Sequence, residues 1–383
     1  MPTATHPAQV RADRVREAAA QGALYARESE RARTLHPSVT EALTAAGFAR
    51  HFVPTRFGGT TGTFGELLDA VAAVGEGCVS AAWCAALQAA HGRLAAHLPP
   101  AGQADLWRDG PDVRVAAAVV PPAGQLRPVD GGYRLSGRWN LASGVTSAHW
   151  VLLATVDPAV PALPAARADP RPRQLVLAVP RRDITVHDTW HNTGLRGTGS
   201  HSLSVEDAFV PAHRTVSREA LAAGRGAADA DEARCHRIPY TLVASLMFAA
   251  PALGAARGAL RAWTRLAAAR PDGLTDPTAQ QVLARSSAET DAAHLLLRSA
   301  AERADRAPLD DLPTALNQRD AAVAVEMLVT AVERLFRHGG ARAQGEDEPL
   351  QRFWRDIHAL AGHGALQLPA AAAAYGNWVA LTR

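Results

Sequence analysis

Three residues that could do acid–base chemistry lie near the end of the chain, in the sequence RFWRDIHALAGHG from Arg352 to Gly364. On one continuous helix, Arg352, Asp356 and His363 are separated by four and seven positions and therefore share a face. An imidazole changes charge near neutral pH and can donate or accept a proton during a reaction. The same pattern is also typical of an amphipathic helix with an internal Arg–Asp pair and a packed histidine.

Bulk properties exclude several classes of function. The chain has 383 residues, enough for two or three domains, and a formal net charge of +3 without a basic run, which argues against nucleic acid as a partner. Its three cysteines show no regular spacing, which favours a reducing compartment over a disulfide scaffold. We find no signal core and no apolar run of membrane-spanning length, so we expect a cytoplasmic protein without a membrane partner.

Residue spacing argues against three further chemistries. His358 and His363 fall on different sides of a helix, so they cannot share a metal ion, and we predict no metal site. The chain contains no GxSxG motif, which removes the common serine-hydrolase interpretation. The sequence GLRGTGSHS, from Gly194 to Ser202, leads into a strand-like run, whereas a dinucleotide-binding fingerprint opens a helix.

The hydrophobic pattern divides the chain into three parts. Apolar residues at three- and four-residue spacing predict an N-terminal helical domain in residues 1–112. Short apolar or alternating runs bounded by Gly, Pro and Asp predict a central β-sandwich or barrel in residues 113–217. Long, alanine-rich amphipathic segments predict a C-terminal four-helix bundle in residues 218–383. The predicted fold class is α+β, mostly α.

This order of domains, together with four local motifs, resembles the acyl-CoA dehydrogenase-like fold, and the resemblance covers nearly the whole chain. The motifs, in the family's order, are AAGFARHFVPTRFGG, GGYRLSGRWNLASGVTSAHWVLLATV, WHNTGLRGTGSHSLSVEDAFVP and PLQRFWRDIHALAGH. The resemblance implies a flavin held between the β domain and the C-terminal bundle. It also implies a homo-oligomer, usually a tetramer, in which a partner subunit completes the site.

The candidate cofactor-binding residues lie in the motifs that resemble the family's flavin-contacting segments. A flavin ring needs a flat apolar platform, which Trp139 can supply, and backbone groups directed at its polar edge. Three segments complete the set: the strand end after Trp139, two hydroxyls of the GLRGTGSHS loop and, by resemblance, the RLFRHGG segment of a neighbouring subunit. These residues are Asn140, Leu141, Ala142, Ser143, Gly144, Thr198, Ser200, Phe336, Gly339 and Gly340. An ordinary strand turn, a β-turn and a glycine helix cap are the alternative interpretations of these segments.

The expected carboxylate base of a dehydrogenase is missing. In the family it follows the C-terminal Arg-Asp pair or lies early in the first long helix of the bundle. Here the first position falls at His363 and Gly364, and the second region, PYTLVASLMFAAPALGAA, contains no acidic residue. A histidine near that place, with a serine in the ASG turn, resembles the flavin-dependent monooxygenases of this fold.

That resemblance implies the oxygenase component of a two-component system. It would take reduced flavin, FMN or FAD, from a separate flavin reductase. It would then use O2 through a flavin hydroperoxide to hydroxylate an aromatic or other small organic substrate. Two alternatives stay open: a dehydrogenase with an unrecognised base, such as Asp356 or Glu333, and a non-catalytic member that binds a ligand or partner protein.

Four residues are candidates for catalysis. His363 hydrogen-bonds the peroxide or takes a substrate proton, and Ser143 helps the flavin ring nitrogen to keep its proton. Asp356 orients His363 or pairs with the arginine one turn before it. His91 is placed by resemblance beside the substrate cavity, although a lone histidine at the end of an apolar helix is more often structural.

Overall fold

The computed structural model describes residues 7–157, 173–225, 233–307 and 314–381. Its N-terminal part is helical, and a capping box formed by Thr63 and Glu66 starts the fourth helix. Every residue of the fifth helix is buried, including the polar residues Gln88, His91 and Arg93. The helices are α1 (Pro7–Leu24), α2 (Ala26–Ala32), α3 (Pro37–Ala45), α4 (Phe64–Gly75), α5 (Val79–Ala95) and α6 (Pro100–Leu106).

The middle of the chain folds into two four-stranded sheets, with strand orders β1-β4-β5-β8 and β2-β3-β7-β6. Residues on the facing sides of the sheets, such as Leu135, Val151 and Leu203, form a shared core, so the arrangement is a sandwich. The strands are β1 (Val115–Ala118), β2 (Gln125–Val129), β3 (Gly132–Ala142), β4 (Trp150–Val156), β5 (Gln174–Pro180), β6 (Thr185–His187), β7 (His201–Pro211) and β8 (Thr215–Ser217).

The C-terminal part is a helical bundle in which α9 packs against α10, α11 and α12. The mostly helical α+β fold predicted from the sequence is confirmed. The helices are α7 (Arg218–Ala222), α8 (Arg234–Arg237), α9 (Tyr240–Ala268), α10 (Pro277–Arg306), α11 (Thr314–His338), α12 (Pro349–Ala361) and α13 (Leu368–Leu381).

Helix α9 is long and apolar enough to cross a membrane, which the sequence analysis did not anticipate. It has 29 residues, and its most apolar window has a mean hydropathy of 1.4. Other parts of the protein bury 83% of that window, as they do for the central helix of a bundle. The apolar surface of α9 is therefore covered by the fold.

The end of α12 corrects the expectation of one helical face. The helix ends at Ala361, and Gly362 forms its C-cap. His363 begins a short 3-10 turn, Gly364–Leu366. Arg352 and Asp356 lie on α12, whereas His363 lies beyond its end. The side chain of His363 therefore does not share a helical face with that of Asp356.

Candidate active site

A line of hydrogen-bonded hydroxyls lies where α5, the end of β3 and the loop before β7 meet. The indole Nε1 of Trp83 donates to Ser143 Oγ at 3.1 Å, and Ser143 Oγ lies 2.7 Å from Ser200 Oγ. Ser200 Oγ lies 2.7 Å from Thr198 Oγ1, which donates to the Leu195 carbonyl at 2.8 Å. The fold therefore brings Ser143 to Thr198 and Ser200, which belong to a different motif.

His363 joins this group through aromatic contacts. Its ring centroid lies 3.9 Å from that of Phe248 on α9 and 5.6 Å from that of Trp83 on α5. The rings of Trp83 and Phe248 are themselves 5.3 Å apart. The three rings form a continuous aromatic wall that ends at the Ser143 hydroxyl.

The hydrogen bonding of His363 fixes its neutral form. Its Nδ1 accepts from the backbone N–H of Ala365 at 3.2 Å, as the N-cap of the 3-10 turn. Burial lowers the pKa of His363 below its usual value, so the ring is neutral near pH 7. A neutral imidazole that accepts at Nδ1 carries its hydrogen on Nε2. The ring thus offers an N–H donor rather than a free basic nitrogen.

Asp356 does not contact His363, which corrects the role we predicted for it. Its carboxylate accepts from the backbone N–H of Leu195 at 2.6 Å, and burial raises the pKa of Asp356 to about 6. Gly194 lets the loop approach α12, because a Cβ there would meet the Arg355 carbonyl at 2.2 Å. Leu195 itself has a φ of 52°, in the left-handed region. Asp356 therefore holds the loop that carries Thr198 and Ser200.

Trp139 cannot form the flat platform that we predicted. Its side chain is only 1% exposed within the core of the sandwich, and its Nε1 donates to the Ala154 carbonyl at 2.8 Å. Its ring lies against Gly124 and Gly137, where a Cβ would collide with it. No face of the indole remains for a ligand, so Trp139 is a core residue.

The strand end after Trp139 keeps features that suit a cofactor. The register of β3 and β7 shifts between Trp139 and Ala142, which takes Asn140 and Leu141 out of the regular ladder. Leu141 has a φ of 62° and is 64% exposed, whereas Ala142 is buried. Asn140 is exposed, and its Oδ1 accepts from the hydroxyl of Ser202 at 2.8 Å.

A narrow recess adjoins this strand end and contains a buried polar atom without a partner. The atom is Oε1 of Gln88 on α5. Together with Ser143 and the irregular backbone after Trp139, it offers polar groups beside an aromatic wall, which fits the polar edge and apolar face of a flavin ring. The recess is lined by Cys84, Leu87, Gln88, Arg114, Val115, Ser143, Gly144, Ser147 and Ala148.

His91 has a structural environment. It is 8% exposed, and its Nδ1 lies 2.9 Å from the Val115 carbonyl, so that nitrogen donates and ties α5 to β1. Burial lowers the pKa of His91 to about 4, which keeps the ring neutral. These contacts favour the structural alternative that the sequence left open for this residue.

The last turn of α11 and the two glycines that follow it form a glycine helix end. The ring of Phe336 stacks on that of Trp354, with centroids 4.9 Å apart. The carbonyl of Gly339 accepts from Arg270 at 2.7 Å, and Gly340 has a φ of 68°. This geometry suits a helix cap. Contact of Phe336, Gly339 and Gly340 with a neighbouring subunit's flavin stays a prediction.

Neither acidic residue suggested as an alternative base is free to act as one. Glu333 accepts from Trp354 Nε1 at 2.5 Å and pairs with Arg337, and these bonds lower the pKa of Glu333. Asp356 is 3% exposed, and its carboxylate already accepts a hydrogen bond from the Leu195 N–H. A base that removes a substrate proton must be within reach of that proton. The geometry therefore argues against the dehydrogenase alternative.

Sequence reasoning missed two residues of the aromatic wall. Trp83 lies in α5, which is buried on all sides, so periodicity does not single out any face. Phe248 lies in the apolar first part of α9, where nothing in the spacing distinguishes it from its neighbours. The available signal for Phe248 was that its segment, PYTLVASLMFAAPALGAA, contains no acidic residue, because a substrate cavity without a base is lined by other side chains.

Comparison with known proteins identifies the family of the chain. The family model described as "Acyl-CoA dehydrogenase, C-terminal domain" matches residues 246–368. The oxygenase component of the FADH2-dependent resorcinol hydroxylase from Rhizobium sp. (strain MTP-10005) is 34% identical, covering 88% of this chain and 86% of that protein. The oxygenase subunit HsaA of a flavin-dependent monooxygenase from Rhodococcus jostii is 32% identical, covering 92% and 93%.

Solved structures give the same result. The HsaA monooxygenase from M. tuberculosis superposes with a TM-score of 0.87 at 27% identity, covering 97% of both chains. XiaF from Streptomyces sp., in complex with FADH2 and glycerol, superposes with a TM-score of 0.85 at 27% identity, covering 96% of this chain and 95% of XiaF. The chain therefore belongs to the flavin-dependent monooxygenases of the acyl-CoA dehydrogenase-like fold, as the oxygenase component of a two-component system.

Proposed function

We propose that the protein hydroxylates a small phenol with reduced FMN or FAD and O2. One oxygen atom enters the aromatic ring and the other leaves as water, while the reduced flavin supplies two electrons and is oxidised. The observation that carries the proposal is the continuous wall of Trp83, Phe248 and His363 beside the Ser143 hydroxyl. It combines apolar faces for an aromatic ring with an N–H donor and a hydroxyl.

A phenolic substrate follows from the chemistry of that wall. Aromatic side chains pack well against an aromatic ring, and the Nε2–H of neutral His363 can donate to a phenol oxygen. Donation to that oxygen stabilises the phenolate character that makes the neighbouring ring carbon reactive. Two relatives act on phenols by name: resorcinol hydroxylase, and p-hydroxyphenylacetate 3-hydroxylase from Acinetobacter baumannii, which is 24% identical to this chain.

The chain's own groups divide the work between binding, positioning and exclusion of water. Ser143 would hold the flavin ring nitrogen and help it to keep its proton, and the backbone of Asn140, Leu141 and Gly144 would hold the polar edge of the ring. When bound, the reduced flavin activates O2. Trp83 and Phe248 are packed together and keep water away, because a wet site would favour release of hydrogen peroxide.

The proposal includes a separate flavin reductase and a homo-oligomer, with a tetramer as the expected state. The exposed C-terminal helix α13 supports self-association. Its sequence, LPAAAAAYGNWVAL, carries no charge, only Ala371 on it is buried, and Leu381 is 87% exposed. Such an uncharged exposed surface is typical of an interface. Light scattering after size exclusion tests the assembly, and a monomer at micromolar concentration contradicts it.

The proposed activity is tested by mixing the protein with chemically reduced FAD or FMN and a phenol in air. Resorcinol and p-hydroxyphenylacetate are the first substrates to compare, with free reduced flavin as the blank. We expect a hydroxylated product that needs the protein, reduced flavin and O2 together. Reoxidation at the rate of free flavin, with hydrogen peroxide equal to the flavin added and no product from either phenol, contradicts the proposal.

A further inference from the structure

The hydroxyl line from Leu195 to Ser143 has a fixed direction. The Thr198 hydroxyl oxygen lies 2.8 Å from the Leu195 carbonyl oxygen. Two oxygens approach this closely only with a hydrogen between them, and a carbonyl has none to give. The Leu195 carbonyl also accepts from Trp190 Nε1. Without a hydrogen from Thr198, the Leu195 carbonyl oxygen and the Thr198 hydroxyl oxygen would still repel each other at this distance. The hydrogen of Thr198 is therefore committed to Leu195.

This commitment passes along the line. Since Thr198 has no second hydrogen, the 2.7 Å contact with Ser200 requires Ser200 to donate to Thr198. The 2.7 Å contact between Ser200 and Ser143 then requires Ser143 to donate to Ser200. Trp83 Nε1, which is always a donor, points at Ser143 Oγ from the other side. Ser143 has no hydrogen left and one lone pair free.

The start of the line is anchored by a buried carboxylate. Asp356 accepts from the Leu195 N–H at 2.6 Å and so fixes the left-handed Leu195 residue whose carbonyl sets the direction. Thr198 and Ser200 are 1% and 5% exposed, so water cannot easily supply a competing hydrogen bond. Both the position and the direction of the line are therefore determined within the protein.

From this geometry we infer that Thr198 and Ser200 are positioning residues that make Ser143 an obligate hydrogen-bond acceptor, which selects reduced over oxidised flavin. The inference rests on the proposed contact between Ser143 and the flavin ring nitrogen. In reduced flavin that nitrogen carries a hydrogen that Ser143 can accept. In oxidised flavin it presents a lone pair, which faces the lone pair of Ser143. The enzyme thereby favours the form that a reductase delivers and releases the form that it produces.

The test is the ratio of the dissociation constants for oxidised and reduced flavin, each titrated without oxygen by fluorescence, with FAD and FMN in parallel. Thr198→Val keeps the shape of the side chain but removes the hydroxyl that donates to Leu195 and accepts from Ser200. Ser200 can then donate to Ser143, and the hydroxyl hydrogen of Ser143 becomes free to donate to the ring nitrogen of oxidised flavin. We expect the ratio to fall by about fivefold, the size of one net hydrogen bond. Ser200→Ala, which frees the same hydrogen, should have the same effect.

Two control variants keep the line intact. Thr198→Ser retains the hydroxyl and should retain the wild-type ratio. Ser204 lies in β7, the strand that follows Ser200, and its hydroxyl bonds His187 at 2.8 Å instead of the line. Ser204→Ala should therefore also leave the ratio unchanged.

Ser143→Ala separates the inference from the proposed function. If Ser143→Ala lowers the ratio but Thr198→Val and Ser200→Ala do not, the direction of the line has no effect and the inference is overturned. If Ser143→Ala also leaves the ratio unchanged, Ser143 does not contact the ring nitrogen, and the proposed contact fails with everything that rests on it. A fall in all three variants, with both controls unchanged, supports the inference.

Discussion

Replacing His363 should separate its structural contribution from its chemical one. The ring caps the 3-10 turn by accepting from Ala365 N–H, and it packs on Phe248 at 3.9 Å. His363→Ala loses both contacts. His363→Asn keeps a side-chain acceptor for the cap, since asparagine is a preferred N-cap residue, but loses the ring and its Nε2–H donor. The difference between the two variants isolates the cap.

The structure sets the expected magnitudes. Loss of a cap costs about 1 kcal/mol of stability, so His363→Ala should be less stable than His363→Asn by about that amount. Both variants lack the imidazole Nε2–H, because the amide N–H groups of asparagine sit on a shorter side chain whose oxygen is held by the cap. Removal of one such donor from an enclosed site lowers the rate by about a hundredfold. Both should therefore lose hydroxylation to a similar extent despite their different stabilities.

The assay combines thermal unfolding with the amount of hydroxylated phenol formed per reduced flavin. Wild-type product yield in His363→Asn would refute the assignment of the Nε2–H as the working group. Equal stability of the two variants would refute the capping contact. Flavin affinity should change little in either variant, because His363 contacts Phe248 and Trp83 rather than the cofactor-binding strand end.

Three further predictions concern coupling and pH. Ser143→Ala should release more hydrogen peroxide per reduced flavin, measured with a peroxidase assay; unchanged coupling contradicts its role. Because burial lowers the pKa of His363, product yield should decline only below pH 6.5 as the ring protonates, and a midpoint above that value contradicts the neutral donor. Three buried histidines have pKa values of about 4, whereas unfolded histidine titrates at 6.5: His51, His91 and His97. As the pH falls, these histidines take up protons in the unfolded chain before they do so in the folded protein, which lowers the free energy of unfolding. Asp356 acts in the opposite sense because its pKa is raised in the folded protein, and it contributes a gain of about 1 kcal/mol. The net free energy of unfolding should therefore decrease by about 4 kcal/mol from pH 7 to 5. A flat pH dependence of the denaturation midpoint contradicts this result.

The hydrophobic pattern predicted the order of helical, β and helical parts because it depends on local chemistry, and the resemblance of four motifs to a known family implied the rest of the fold. Alternating runs and turn residues mark strands, and long apolar periodicities mark the helices of a bundle. The prediction that GLRGTGSHS leads into a strand is also confirmed, since β7 begins at His201.

The exact placement of side chains could not be predicted in the same way. The helix α12 ends at Ala361, with Gly362 as its C-cap. The helical spacing that joins Asp356 to His363 in the sequence therefore does not continue in the structure. Trp139 is buried because Gly124 and Gly137, from separate turns of the chain, make room for its ring. The bond between Asp356 and Leu195 joins residues 161 positions apart. Such contacts depend on tertiary packing, which overrides local pattern.

The hydroxyl line is an intermediate case. The types of Ser143, Thr198 and Ser200 indicated a polar site, but their direct contact with one another is visible only in the fold. The missing carboxylate was the strongest signal for function, because it depended on residue type alone and not on geometry.

The activity proposed for this protein is the insertion of one atom of dioxygen into an aromatic substrate. The most direct measurement is mass spectrometry of the product formed from a phenol, reduced flavin and isotopically labelled dioxygen. We predict that the new hydroxyl group carries the label from the gas. A product labelled from water instead, or label found only in hydrogen peroxide, would contradict the account.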